Sequence, residues 1–417
     1  MRFSFYLKTS LLFALAIITF CLPLFSITTA FAITPDLILV YGRDTYEYYE
    51  RRLNATDFTI AEDFERRKIN APISEKIQLV TRLVKSGSAL KDAMLYCFPY
   101  FAETVERASR EISALPVNAE IRFYPDRYPM FEIKRSSYGC RVDEDRIYEE
   151  AYYALSSGIK RIGISVQPIP PDVTAESLSA CTRLRSKFST SYVGSTDERK
   201  HNIALALSRI NGTVVNAGET FSFNERVGKR TASQGFLPAK IIMEGKYVEG
   251  VGGGVCQAST TIYNAVLLAG LKVREVHRHT LVPTYVEPSF DAMVNGSGCD
   301  FRFINDSKYP VFIKAYADSA TATVEIYSTP QENSIVRKSL TLEMGERPAD
   351  EEFIDENREY TQGLAGGERV KVSGGAPRVK SEGYLVYTYA DGRREEIKIR
   401  SDEYAETTGK VAIAPTD

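Results

Sequence analysis

Residues 252 to 279 read GGGVCQASTTIYNAVLLAGLKVREVHRH and hold one cysteine, Cys256, together with two of the three histidines of the chain. The glycine run permits positive φ angles and the close approach of another molecule. The pattern from Cys256 to Ala269 predicts a helix that Gly270 ends. Cys256 therefore opens a helix, where unpaired N–H groups and the helix dipole favour the thiolate.

The segment after this helix, Lys272 to His279, predicts a strand that carries both histidines. Their i, i+2 spacing would place His277 and His279 on one face of that strand. A helix followed by an adjacent strand can bring cysteine and histidine together, as cysteine acyl-transfer enzymes require. The predicted catalytic residues are Cys256 as nucleophile, His279 as base, His277 as a second candidate base and Asp291 as the acid that orients the histidine.

Several blocks of this stretch resemble the VanW domain, a family named from vancomycin-resistance clusters of Gram-positive bacteria. They are GGGVCQASTTIYNA, EVHRHT, Tyr285-Val286 and Asp291-Ala292, and the similarity runs from Arg199 to near Ser328. Separated blocks in the expected order form a specific match. VanW domains in some cell-wall proteins are thought to be L,D-transpeptidase catalytic domains. The resemblance therefore implies that Cys256 is the nucleophile and that the substrate is the stem peptide of peptidoglycan.

Backbone N–H groups near Cys256 are expected to stabilise the oxyanion of such a reaction, and no cofactor is expected. The predicted oxyanion and substrate-binding residues are Gly253, Gly254, Gln257 and Thr260. Two other interpretations remain open. One is a non-catalytic peptidoglycan-binding or scaffolding surface protein. The other is a zinc site formed by Cys256, His277 and His279, although this set lacks a clear fourth ligand, so no metal is predicted.

Composition and patterning predict an exported α+β protein of several domains. The 417 residues include 52 basic and 54 acidic side chains, without the basic surplus of a nucleic-acid binder. The predicted domains are a signal peptide or membrane anchor (1–33), a peptidoglycan-binding α+β region (34–190), a VanW catalytic-like domain (191–330) and a small β-rich accessory domain (335–417).

Residues 9 to 32 are uncharged and mostly apolar, and they end in the small-x-small pattern Ala30-Phe31-Ala32. This pattern predicts export to the cell surface or cell wall. The apolar run also reaches the ~20 residues that span a bilayer, so cleavage and retention as an anchor both remain open. Five cysteines lie beyond this run, and a disulfide among Cys97, Cys140 and Cys181 also remains open.

The two flanking regions carry weaker signals. Leu90 to Ile112 predicts one long helix that Pro99 kinks. The order of elements from residue 34 to 190 resembles the peptidoglycan-binding domain that often precedes VanW domains, and a structural stalk is the alternative. The glycine-containing pattern of 335–417 resembles a small five-glycine surface domain, and a plain β module is the alternative.

Overall fold

The computed structural model describes residues 34–50, 71–243, 246–296 and 298–416, with the backbone alone for 241–243 and 246–248. The predicted signal or anchor segment, residues 1–33, lies outside these ranges. Within the described ranges, no helix combines the length and the hydrophobicity that a membrane span needs. The predicted class, a mixed α+β protein with more than one compact unit, is confirmed.

The described ranges contain eight helices. They are α1 (Ile73–Lys85), α2 (Leu90–Cys97), α3 (Pro99–Ile112), α4 (Glu144–Ser157), α5 (Ala175–Ala180), α6 (Asp197–Ile210), α7 (Phe223–Val227) and α8 (Val255–Leu268). The first strands are β1 (Leu37–Tyr41), β2 (Asp44–Tyr48), β3 (Glu120–Phe123), β4 (Phe131–Lys134), β5 (Gly139–Val142), β6 (Arg161–Gly163), β7 (Val166–Ile169) and β8 (Arg183–Ser191).

The remaining strands fall in the second half of the chain. They are β9 (Thr213–Val215), β10 (Thr220–Ser222), β11 (Pro238–Met243), β12 (Lys246–Val251), β13 (Lys272–Glu275), β14 (Arg302–Ile304), β15 (Val311–Ala317) and β16 (Thr321–Ser328). The last six are β17 (Ser334–Met344), β18 (Glu351–Ile354), β19 (Arg369–Ser373), β20 (Val379–Thr388), β21 (Arg394–Tyr404) and β22 (Lys410–Ile413).

Pro99 divides the long helix that the sequence predicts. Phe98 has φ −131° and ψ 64°, which lies outside the helical region, and Pro99 then takes the first position of α3. Proline lacks an N–H and disfavours the helical conformation of the residue before it, while its fixed φ suits a helix start. The prediction of one kinked helix was therefore wrong, because the chain ends α2 and begins α3.

Among the described residues, the first compact unit comprises those up to Ser113 together with Arg141–Gln167. Its sheet has the order β2-β1-β6, with β1 and β6 parallel. Phe101 of α3 packs edge-on against Tyr48 of β2, with ring centroids 5.1 Å apart, and against Tyr148 of α4 at 5.5 Å. Helices and sheet thus share an aromatic core.

The second unit comprises residues 114–140 and 168–417. The hairpin of β3 and β4 belongs to it, although the sequence grouped this hairpin with the region 34–190. The predicted domain limits themselves stay predictions. A four-stranded sheet of order β8-β16-β15-β9 forms one layer of this unit, and α8 packs on β8 and β16.

Helix α8 lies inside the second unit. Of residues 255 to 267, all except Cys256 are buried. A helix buried on every side has no solvated face, so each of its polar side chains needs a partner within the protein. These partners define the site described below.

The C-terminal sheet of order β17-β20-β21 is continuous with this core. Ile335 of β17 and Leu385 of β20 belong to the same hydrophobic cluster as Ile262 of α8. Residues 335–417 were predicted to form a separate accessory domain. Their alternating strand pattern indicates a buried face but does not indicate which part of the protein that face packs against. The second C-terminal sheet has the order β18-β22-β19.

Candidate catalytic site

The glycine run before α8 is packed against the protein itself. Gly254 caps the helix with φ 104°, and a Cβ there would lie 2.9 Å from Ile203 Cγ1 on α6. A Cβ on Gly253 would lie 2.7 Å from the carbonyl oxygen of Lys240 on β11. These glycines were predicted to allow the close approach of a substrate, whereas the groups that approach them are the protein's own α6 and β11.

Cys256 is the second residue of α8 and keeps part of its surface exposed. Among the described residues, no backbone acceptor is found for its N–H. The N–H of Gln257, which was also predicted to face an oxyanion, donates to the carbonyl of Gly254 at 2.9 Å. Of the two predicted backbone donors, only that of Cys256 is therefore available for a substrate oxygen.

The Gln257 side chain is buried and fully engaged. Its Nε2 donates to the carbonyl of Ser191 at 2.8 Å and to Thr190 Oγ1 at 3.0 Å, and its Oε1 accepts from Arg199 at 2.8 Å. Gln257 therefore ties α8 to β8 and α6. Its predicted contact with substrate was wrong, because burial leaves none of its amide atoms for another molecule.

A row of polar side chains on α8 holds the segment 290–294 beside the helix. Cys256 Sγ lies 3.3 Å from the carbonyl oxygen of Val294, Thr260 Oγ1 accepts from the N–H of Ala292 at 3.0 Å, and Asn264 Nδ2 donates to the carbonyl of Phe290 at 2.8 Å. Their i, i+4, i+8 spacing puts all three on one face. Thr260, predicted to bind substrate, is fully buried and instead positions this segment.

Asp291 lies in that segment, and its carboxylate faces His279. Oδ2 accepts from the backbone N–H of His279 at 2.6 Å and from Nδ1 of its ring at 2.7 Å. This leaves Nε2 for the hydrogen bond between the imidazole and the Cys256 thiol. The structure thus brings Cys256, His279 and Asp291 together in the order thiol, imidazole, carboxylate.

The surroundings favour charge on both the sulfur and the ring. Burial raises the pKa of Cys256, but the hydrogen bond and charge of His279 outweigh it, so the pKa lies below its ordinary value. Burial lowers the pKa of His279, whereas its hydrogen bonds to Asp291 and Cys256 raise it to about 9. A thiolate beside an imidazolium is the form that attacks carbonyl carbon.

His277 is not part of this cluster. Strand β13 ends at Glu275, so the predicted strand through His279 was wrong, and both histidines follow in irregular chain. His277 Nε2 bonds Glu275 Oε1 at 2.9 Å, and its side chain is 37% exposed. The described contacts place its ring nitrogen on Glu275 and not on the thiol, so they lend no support to its predicted role as a base. The zinc set of Cys256 with both histidines is not assembled for the same reason.

Two residues of β21 complete the surroundings of Asp291. Tyr404 donates its hydroxyl to Asp291 Oδ1 at 2.6 Å, and Arg400 Nη1 donates to the carbonyl oxygen of Asp291 at 2.7 Å. Arg400 Nη2 lies 3.6 Å from Oδ1. Burial raises the pKa of Asp291, but His279, Arg400 and Tyr404 together lower it below its ordinary value. Sequence reasoning missed both residues, since neither stands in a recognisable motif.

The fold and the site define an α+β protein with a cysteine, histidine and aspartate chain at the start of a buried helix. The family model described as "VanW like protein" matches residues 198–327, which contain all three residues. The uncharacterized protein YoaR of Bacillus subtilis (strain 168) is 33% identical over 240 residues, 57% of this chain and 77% of that protein. The chain belongs to the VanW-domain family.

Two further similarities are more distant. The vancomycin B-type resistance protein VanW of Enterococcus faecalis (strain ATCC 700802 / V583) is 23% identical over 147 residues, which are 34% of this chain and 53% of that protein. The solved structure titled "Crystal structure of HP0197-G5" has 12% identity and a TM-score of 0.11, and the match covers 20% of this chain and 99% of that one.

Proposed function

We propose that the protein is a cysteine-dependent acyltransferase of the cell wall, an L,D-transpeptidase that joins stem peptides of peptidoglycan. The observation that carries the proposal is the chain Cys256, His279, Asp291, in which the two partners are buried and Cys256 is a partly exposed residue. A buried acid that holds a histidine against a cysteine at a helix start is the arrangement of nucleophilic acyl transfer.

In this mechanism the Cys256 thiolate attacks a carbonyl carbon of the stem peptide. The Cys256 N–H faces the oxyanion of the tetrahedral intermediate. Imidazolium His279 gives its proton to the departing amine of the D-amino acid, and a thioester remains on the sulfur. The amine of a neighbouring stem then attacks the thioester, His279 takes the proton of that amine, and the thiolate is released with the new peptide bond.

Two observations support the cell wall as the place where the protein acts. One relative is named as a vancomycin B-type resistance protein, and the shared family links this chain to that context. The apolar run at residues 9 to 32 adds the pattern of an exported protein, either released or held at the membrane. Export would bring the thiol to its substrate outside the cell.

We further propose that the first region binds wall polymer independently of the thiol, which would raise the local concentration of stem peptides. Because the hairpin of β3 and β4 belongs to the second compact unit, the full chain is the better material for a test. Full-length Cys256→Ser protein should sediment with purified sacculi as well as the wild type. Loss of retention on this substitution would tie binding to the thiol and contradict the separate role.

The central test compares Cys256→Ser with Cys299→Ser, which removes another partly buried free thiol. Purified variants are incubated with muropeptides, and products and protein adducts are identified by mass spectrometry. Cys256→Ser should stay folded and lose nearly all turnover, because a serine hydroxyl replaces a thiolate nucleophile. Cys299→Ser should form crosslinks and an acyl adduct on Cys256. Crosslinking by folded Cys256→Ser at the wild-type rate would leave the non-catalytic scaffold as the better function.

A further inference from the structure

The C-terminal sheet contacts Asp291, one of the three proposed catalytic residues. Tyr404 at the end of β21 is fully buried, and its hydroxyl accepts from the N–H of Ser289 at 2.8 Å while donating to Asp291 Oδ1. The hydroxyl therefore finds both a donor and an acceptor within the protein, and burial keeps it from solvent. Its placement therefore fixes the carboxylate on the side away from His279.

The turn that leads into Asp291 is held by the same sheet. Ser289 has φ 66°, a left-handed conformation that non-glycine residues seldom adopt. Its hydroxyl bonds Ser381 Oγ of β20 at 2.7 Å, and a Cβ on Gly383 would lie 2.9 Å from its carbonyl oxygen. The C-terminal strands thus clamp a strained turn two residues before Asp291.

Arg400 binds the backbone of Asp291. Besides its bond to the Asp291 carbonyl, its guanidinium pairs with Asp402 through Nε at 2.6 Å and Nη2 at 3.0 Å. Only 11% of the Arg400 side chain is exposed. The double contact with Asp402 fixes the plane of the guanidinium, so Arg400 holds Asp291 by main chain while Tyr404 holds it by side chain.

We infer that Tyr404 and Arg400 are positioning residues of the proposed acyltransfer site, and that the C-terminal sheet is therefore part of the catalytic unit. This inference rests on the proposed function. The VanW family match ends at residue 327, so it contains neither residue. Both act on the thiol through Asp291 and His279, and neither touches the sulfur.

Displacing Asp291 should change the pKa values of His279 and Cys256 in opposite directions. A displaced Asp291 stabilises the imidazolium less, so the pKa of His279 falls and the pKa of Cys256 rises. The thiolate-imidazolium pair exists between these two pKa values, so the pH range in which it exists, its pH window, becomes narrower at both ends. A purely electrostatic role of Tyr404 gives the opposite result. Losing a donor makes the carboxylate a stronger base, which favours the imidazolium and widens the window.

The pH window depends on every group near the pair. The titratable and charged side chains around His279 and Asp291 include Cys256, Tyr263, Tyr285, Arg400, Asp402 and Tyr404. Arg278 Nη1 also donates to the carbonyl oxygen of His279, at 3.2 Å. Arg230 faces the thiol itself. The two test variants below each change one of these positions and the control variant changes none of them, which isolates the contribution of the C-terminal sheet.

The experiment measures the rate at which iodoacetamide alkylates Cys256 in the full-length protein from pH 5 to 10, with mass spectrometry of the Cys256 peptide as readout. The acid limb of the rate profile follows the pKa of Cys256, and Tyr404→Phe should move it about one pH unit higher. At a pH below this limb, the thiolate fraction should then be about tenfold smaller. Tyr384→Phe on β20 is the matched control, because its hydroxyl also bonds a carboxylate, that of Glu382, away from Asp291. It should keep the wild-type profile.

Arg400→Lys provides a second variant should Tyr404→Phe fold poorly. It keeps the positive charge and loses the planar two-point contact, and it should narrow the window in the same direction. An unchanged or widened window in the folded variants would overturn the positioning role. Alkylation needs no peptidoglycan, so this outcome is distinct from failure of the proposed function, which would appear as absent crosslinking by wild-type protein with an intact alkylation profile.

Discussion

Replacing Asp291 with asparagine tests how the imidazolium is held. The carboxylate accepts four contacts, two from His279, one from the Tyr404 hydroxyl and one from the Arg400 charge. Asparagine has one acceptor oxygen and one donor nitrogen, so one pair of donors must face its amide NH₂. The substitution therefore removes the negative charge and also breaks the hydrogen-bond pattern.

The size of the effect follows from the pKa of His279, which the two partners raise to about 9. Among the causes that raise it, the hydrogen bond to Asp291 is the largest, and the contribution of Cys256 remains in the variant. A lost opposite charge shifts a pKa by about one to two units here, or roughly 2 kcal/mol. Turnover should accordingly fall about 10- to 100-fold, less than on loss of His279 itself.

The direct assay is NMR titration of ¹³C-labelled histidine rings. The chain has only three histidines, and His201→Gln and His277→Gln variants assign the remaining signal to His279. Wild-type His279 should titrate near 9, and Asp291→Asn should bring it one to two units lower. An unchanged titration in the variant would refute the claim that Asp291 sustains the imidazolium.

Asp300→Asn is the matched control for this experiment. Asp300 is a buried carboxylate that accepts from the backbone N–H groups of Asn224 at 2.9 Å and Phe301 at 2.8 Å. The two backbone donors can stay on the one oxygen that asparagine keeps, but the Ser222 hydroxyl, which donates to Asp300 Oδ2, then faces an amide NH₂. The substitution should therefore lower the unfolding temperature, at a cost of about 1–3 kcal/mol. The His279 titration should stay in place. A shift there as well would mean that general loosening of the fold, rather than the specific carboxylate, moves the pKa.

Two further predictions concern the histidines and the glycine run. His279→Ala should lower turnover by roughly 10²–10⁴-fold in the muropeptide assay, while His277→Gln should leave it within twofold, since its ring bonds Glu275. Equal losses in both variants would contradict the assignment of a single base. Gly254→Ala should lower the unfolding temperature more than Gly218→Ala, because both have positive φ but only Gly254 has neighbours in the way. Equal shifts in calorimetry would show that backbone strain alone sets the cost.

The family motif allowed much of the site to be predicted from sequence. Three glycines before a mixed polar and apolar run indicated a helix start at the thiol, and the observed helix begins one residue earlier, at Val255. Cys256, His279 and Asp291 were each identified, and the structure places them in contact. The row of polar residues in the same helix could also have been recognised, because a buried helix with a polar residue every fourth position needs partners along one face.

Other features depended on tertiary contacts that local pattern does not encode. The i, i+2 spacing of the histidines suggested one strand face, yet the chain leaves β13 at Glu275 and places the two rings on different carboxylates. Gln257 has a motif position that suits an oxyanion donor, and its environment is a buried link to Ser191. A position next to the predicted nucleophile therefore indicated that Gln257 lies near it, but not the direction in which its side chain points.

The sequence by itself determined the candidate catalytic groups of this protein: a thiol at a helix start, a histidine and an acid in a recognisable order, and the class of fold around them. Only the tertiary structure decided what holds that chemistry in place. Tyr404 and Arg400 lie more than one hundred residues beyond Asp291, on a strand whose alternation reports a buried face without naming its partner. Hydrogen bonds are made in space, and residues so distant along the chain meet only once the C-terminal sheet has packed on the core.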